Sequence, residues 1–76
     1  MAAVEQQARE AGARRIWLIT TNDNLDVLRF YQRRGYRLAA VFPGAVDEAR
    51  KQKPTIPLTG FYGIPIRDEI LPEKTL

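Results

Sequence analysis

Residues 24–36 read NLDVLRFYQRRGY, and this stretch carries the marks of a helix with both of its ends written into it. Asp23 stands at an N-cap position and Asp26 in the first turn, where carboxylates meet the positive end of a helix dipole. At the other end Gly35 is placed to close the helix in the left-handed conformation, with Arg33 and Arg34 complementing the negative end. The spacing predicts a helix from about Asn24 to Arg34. Asn24, Leu28 and Tyr31 fall at i, i+4 and i+7 and therefore share one face. Leu28 and Phe30 read as core.

Working outward, Ile16-Trp17-Leu18-Ile19 is a short unbroken apolar run, the pattern of a strand buried on both faces as parallel strands are, with Trp17 in the core. Before it, Val4, Ala8 and Ala11 form an apolar stripe at helical spacing over residues 1–11, and Gly12 follows as a C′ stop. No N-cap precedes this helix, so it reads as cut short rather than begun. After Gly35, Tyr36 to Phe42 reads as a strand with Tyr36, Leu38, Ala40 and Phe42 on one face, ended by Pro43-Gly44. Ala45 to Gln52 suggests a short surface helix with Val46 and Ala49 inward. Lys53 to Ile66, rich in Pro and Gly, reads as an ordered loop anchored by Phe61 and Tyr62. Glu69 to Leu76 would be a last strand, in which Pro72 argues for an edge position or a bulge. The expected architecture is α/β, helix–strand–helix–strand–loop–strand, in a single domain spanning 1–76. So small a sheet cannot cover both faces of Ile16–Ile19, which implies neighbours from a longer chain or from a second copy.

Composition narrows the chemistry. The 76 residues contain no cysteine and no histidine, which removes disulfides, thiolate metal sites, imidazole ligands and the base of a serine or cysteine triad. No metal site is expected. Hydrophobic residues make up 45% of the chain, too many for a disordered one. No apolar run approaches the roughly 18 residues of a membrane span, and the start does not resemble a signal peptide. A cytoplasmic protein without a membrane partner is the expectation. The net charge of +3 is mild. It is concentrated only around Arg29, Arg33, Arg34 and Arg37, of which Arg29, Arg33 and Arg37 read either as solvated helix arginines or as contacts for phosphate groups. Nucleic acid is not an expected partner, since the aromatics lack a stacking pattern.

From Leu18 onward the sequence LITTNDNLDVLRFYQRRGYRL resembles the strand–helix–strand unit near the end of GNAT-superfamily acetyltransferases, whose pattern is N-x-x-A-[LI]-x-[FL]-Y-x-x-x-G-[FY]. Asn24, Leu28, Phe30, Tyr31, Gly35 and Tyr36 match it, and Val27 stands where Ala is usual. The resemblance implies a partial GNAT fold and acetyl-CoA as cosubstrate, with an amine of unknown identity as acceptor. It implies that Asn24, Leu28 and Tyr31 contact the cofactor, and the charge of Arg33 makes it the candidate contact for the cofactor's phosphates. An amide can both donate to and accept from pantetheine. The tyrosine matching Tyr31 is assigned in the family as general acid to the departing thiolate. Taken singly, Tyr31 reads as a packed tyrosine and Asn24 as a cap.

The family's pyrophosphate segment, R/Q-x-x-G-x-G/A at a helix start, has no match in these residues. Two functional expectations follow. One is the carboxy-terminal half of an N-acetyltransferase, incomplete for catalysis by itself. The other is a non-catalytic module that self-associates, as a homo-oligomer.

Overall fold

Residues 2–76 are described in a computed structural model. In chain order they form α1 (Ala2–Glu10), β1 (Arg15–Trp17), β2 (Thr20–Thr21), α2 (Leu25–Arg33), β3 (Arg37–Phe42), α3 (Ala45–Gln52) and β4 (Glu69–Thr75), with a single 3₁₀ turn at Phe61–Gly63. The expected α/β element order is therefore present, including the short helix after β3.

Both glycine stops act as expected. Gly12 takes φ +85° and Gly35 φ +89°. Around the first, the Gly12 amide donates to Arg9 and the Ala13 amide to Ala8, at 3.0 and 2.9 Å. Around the second, Gly35 donates to Gln32 and Tyr36 to Tyr31, at 3.1 and 3.0 Å. This is the paired hydrogen-bond pattern that a left-handed residue at C′ permits. The start of α2 differs from expectation. The N-cap residue is Asn24, whose side chain makes no capping hydrogen bond. Asp23 contributes only its backbone carbonyl, to the Leu25 amide at 2.9 Å.

β4 is the central strand, with β1 and β2 along one side and β3 along the other, every pairing antiparallel. The expectation of a parallel strand buried on both faces at Ile16–Ile19 is thus corrected, and Trp17 is 54% exposed. Pro72 lies in this central strand, not at an edge. The register Trp17↔Glu73 and Thr20↔Ile70 sets Leu18 opposite Pro72. The Leu18 amide donates to the Pro72 carbonyl at 3.1 Å, but a proline has no N–H to return. The ladder lapses there and separates β1 from β2. On the other side the register shifts between Leu38 and Ala40, a bulge at Ala39. A proline is tolerated in the centre because one flank is interrupted and the other bulged. The bulge also overturns the expected alternation. Leu38 pairs with Pro72 and Ala40 with Leu71, so they point to opposite faces.

Cross-strand partners share a face. Ile16, Leu18, Thr20, Ile70, Pro72 and Lys74 therefore lie together. The Lys74 ammonium reaches Glu5 of α1, which identifies this as the face covered by α1. Its core comprises Leu28, Tyr36 and fully buried Pro72, with Val46 buried at α3. On the opposite face Trp17, Ile19 and Phe42 stay exposed. Two further expectations are corrected. Phe30, on the outer side of α2, is 42% exposed and not core. On α1, Val4 of the expected apolar stripe is exposed whereas Glu5 is buried. The reason is chemical: Glu5 finds two polar partners inside, the Tyr36 hydroxyl and the Lys74 ammonium.

Candidate functional site at the head and inner face of α2

The turn from β2 into α2 is built from polar side chains that reach across the sequence. The Asn22 side-chain amide donates to the Pro65 carbonyl at 2.9 Å, and its oxygen accepts from the Arg67 and Asp68 amides at 2.9 and 3.1 Å. Asp23 is only 2% exposed. Its carboxylate accepts from the Thr21 hydroxyl and from the Phe61 amide. Burial pushes this carboxyl up, but the hydrogen bonds from Thr21, from Phe61 and from its own amide prevail and hold it below the ordinary range. Gly60 is required beside it, since a Cβ there would collide with the Asp23 carboxylate and the Ile66 side chain.

One turn into the helix, Asp26 accepts the Tyr62 hydroxyl at 2.7 and 2.8 Å. Tyr62 holds φ +60°, a left-handed conformation costly for a bulky residue. That hydrogen bond raises the Tyr62 phenol above its ordinary value. The head of α2 is thus a clasp for the long loop. Phe61 and Tyr62 do anchor the loop, but through a backbone amide and a hydroxyl; their rings are exposed. Sequence reasoning missed Asn22, Asp23 and Asp26 in this role. The run NDNLD at a strand–helix junction was the available signal, and dipole complementarity explained its acids too readily.

The residues singled out in sequence separate into two groups. Asn24 is half-buried at the helix head, Leu28 is buried, and Tyr31 is half-buried two turns along. At about 100° per residue, these three lie within about 60° of one another. The Tyr31 ring meets Phe30 edge-on at 5.2 Å and Tyr36 at 4.9 Å. Arg33 lies on the opposite side of the helix, about 180° from Asn24. There it lines an open depression of ≈ 440 Å³ with Arg29, Phe30 and Arg34. The Arg34 guanidinium sits 4.4 Å over the Phe30 ring, and Arg29 approaches Asp26 at 3.9 Å. Chemically, the inner face offers an amide not spent on capping, an apolar middle and a phenol. The outer face offers positive charge beside an aromatic surface. Among the described residues no helix is long and apolar enough to cross a membrane.

Residues 1–36 match the sequence model of the Acetyltransferase (GNAT) family. The Bacillus subtilis (strain 168) protein YdhI is 56% identical over 73 residues, which is 96% of this chain and 46% of YdhI. Among solved structures, the IAA acetyltransferase from Bacillus cereus ATCC 14579 superposes with a TM-score of 0.83 at 20% identity, over 99% of this chain and 47% of that one. A GNAT family acetyltransferase from Elizabethkingia anophelis with acetyl-CoA bound gives 0.80 at 20% identity, over 99% of this chain and 46% of that one. Residues 1–36 thus carry the sequence pattern of the GNAT family, and almost the whole chain has the fold of part of a GNAT acetyltransferase. The chain spans about half the length of the curated relatives it matches, and its architecture is accordingly part of the GNAT fold.

Proposed function

We propose that these 76 residues form the part of an acetyl-CoA-dependent N-acetyltransferase that holds the pantetheine arm and thioester of the cofactor. Asn24 exchanges hydrogen bonds with the pantetheine amides, Leu28 contributes the apolar floor, and Tyr31 stands at the sulfur. An acceptor amine attacks the thioester carbonyl and a tetrahedral intermediate forms. As that intermediate collapses the carbon–sulfur bond breaks and the leaving sulfur takes the proton of the Tyr31 hydroxyl, while the proton lost by the amine nitrogen passes to solvent, from which the phenolate is reprotonated. Arg33, on the outer face, is assigned to the phosphate end of the cofactor, where a guanidinium meets phosphate oxygens in a fork. A cytoplasmic location belongs to the same reading.

The observation that carries this reading is the single inner face of α2, with Asn24 at its head making no capping hydrogen bond. The acetyl-CoA bound to the Elizabethkingia anophelis relative supports the choice of cofactor. Titration calorimetry of coenzyme A, with acetyl transfer to a primary amine, tests it in a longer chain that carries the pyrophosphate segment upstream of these residues. Asn24→Ala is expected to weaken coenzyme A about tenfold, the loss of one to two net hydrogen bonds. Tyr31→Phe should leave affinity within about twofold and reduce turnover about a hundredfold, the span of a general acid. Wild-type affinity and turnover in both variants would refute the assignment.

A second reading rests on the open sheet face of Trp17, Ile19 and Phe42. It casts the chain as a non-catalytic module that self-associates through this face. Sedimentation decides it, since a folded monomer at micromolar concentration removes the idea.

A further inference from the structure

Glu5 is a buried carboxylate that the functional reading above does not use. One oxygen, Oε1, accepts from the Tyr36 hydroxyl at 3.2 Å and from the Lys74 ammonium at 3.2 Å. The same ammonium stands 5.7 Å over the Tyr36 ring. Three elements, α1, the α2–β3 junction and β4, therefore converge on one tyrosine. Burying such a carboxylate is costly, and an apolar side chain of similar volume would stabilise the fold at least as well. What the polar trio adds is direction, because it fixes both the tip and the face of the Tyr36 ring.

Tyr36 is in turn joined to Tyr31 twice. Its amide donates to the Tyr31 carbonyl at 3.0 Å. Its ring meets the Tyr31 ring edge-on, 4.9 Å between centroids and 70° between planes. A half-buried ring packed edge-on against a neighbour that is itself held at hydroxyl, face and backbone has fewer orientations open to it.

We propose that Glu5 and Lys74 hold Tyr36 so that Tyr36 sets the orientation of the Tyr31 phenol, making Tyr36 a positioning residue for the protonation step. The inference rests on the role given to Tyr31 in the proposed function. Lys74 holds Glu5 below the ordinary carboxylate range, burial notwithstanding, so the carboxylate is charged and an obligate acceptor near neutral pH. Tyr36, raised by burial and by Glu5, keeps the proton it donates.

The test uses protein labelled with ¹³C in the tyrosine rings, which number three. Glu5→Gln and Tyr36→Phe are expected to move the ring resonances of Tyr31 and to leave those of Tyr62, held by Asp26, in place. In acetyl transfer by the longer chain that carries the pyrophosphate segment, Tyr36→Phe should lower kcat about fivefold with KM for acetyl-CoA within about twofold, a misorientation effect. Added to Tyr31→Phe it should cost nothing more, because both act through one group. If Glu5→Gln disturbs folding, Lys74→Met interrogates the same trio from the strand. Tyr31 resonances unmoved by either substitution overturn the positioning role, whatever the activity. If the Tyr31 resonances move while Tyr31→Phe turns over like the wild type, the coupling stands and the acid role of Tyr31 falls.

Discussion

The Phe61 amide donates to the Asp23 carboxylate at 3.0 Å, across 38 residues of sequence, and so ties the middle of the long loop to the head of α2. Both oxygens of this carboxylate are engaged inside the fold. Asp23→Ala leaves the Phe61 amide and the Thr21 hydroxyl without their partner, at a cost of about 1–3 kcal/mol. Urea denaturation should show a lower midpoint at unchanged slope. Amide exchange at Phe61 should quicken, and an unchanged midpoint and exchange rate would show that the clasp contributes nothing.

Gly60→Ala strikes the same contact from the loop side. The added methyl meets the Asp23 carboxylate and the Ile66 side chain, so the loop must shift. A loss of about 1–3 kcal/mol is expected, as for overpacking elsewhere. Since both substitutions break one clasp, Asp23→Ala with Gly60→Ala should cost less than the sum of the two. Strict additivity in denaturation would separate the collision from the clasp.

Asp23 and Glu5 both titrate below their ordinary values of 3.8 and 4.5 when folded. The folded state therefore binds their protons more weakly than the unfolded chain. The stability they contribute is present in full above the unfolded values and is lost as pH falls through the folded ones. Thermal midpoints should be level from pH 7 to about 5 and decline below about 4. Asp23→Asn should flatten that decline, and an equally steep decline in this variant would assign it to other carboxylates.

Much of this was legible in sequence because it is local. A glycine closing a helix acts through hydrogen bonds within six residues, so Gly12 and Gly35 could be read without knowing what packs against them. The face shared by Asn24, Leu28 and Tyr31 follows from helix geometry alone. What escaped were effects set by distant partners. Glu5 is inside only because Tyr36 and Lys74 meet it. Asp23 looked like a cap because nothing in the sequence announced the Phe61 amide. Ile16–Ile19 reads as parallel because its apolar run does not reveal that the strand beside it is β4, which runs the other way.

Pro72 offers a prediction about the sheet itself. Leu18 donates to Pro72 and receives nothing back. Pro72→Val restores the N–H without changing the β character of the site. β1 and β2 should then join into one strand, seen as new amide protection at residue 72. Stability should stay within about 1 kcal/mol, because the gained hydrogen bond opposes the lost stiffness of the proline. A loss well beyond that would mean the proline ring itself fills space the core requires.

Within α2, burial and size make opposite forecasts, and the helix face decides between them. Phe30 is the larger side chain, but it is 42% exposed, whereas Leu28 is 8% exposed. Leu28→Ala removes buried methyl groups from between the helix and the sheet and should cost about 2–5 kcal/mol. Phe30→Ala removes an edge contact with Tyr31 and the stacked Arg34. Those contacts are worth about 1–2 kcal/mol together at a half-open site. Urea midpoints of the two variants should therefore fall in the order Leu28→Ala below Phe30→Ala. The reverse order would mean that Phe30 is covered in solution, by a second copy of the chain or by further protein packed against the outer face of α2.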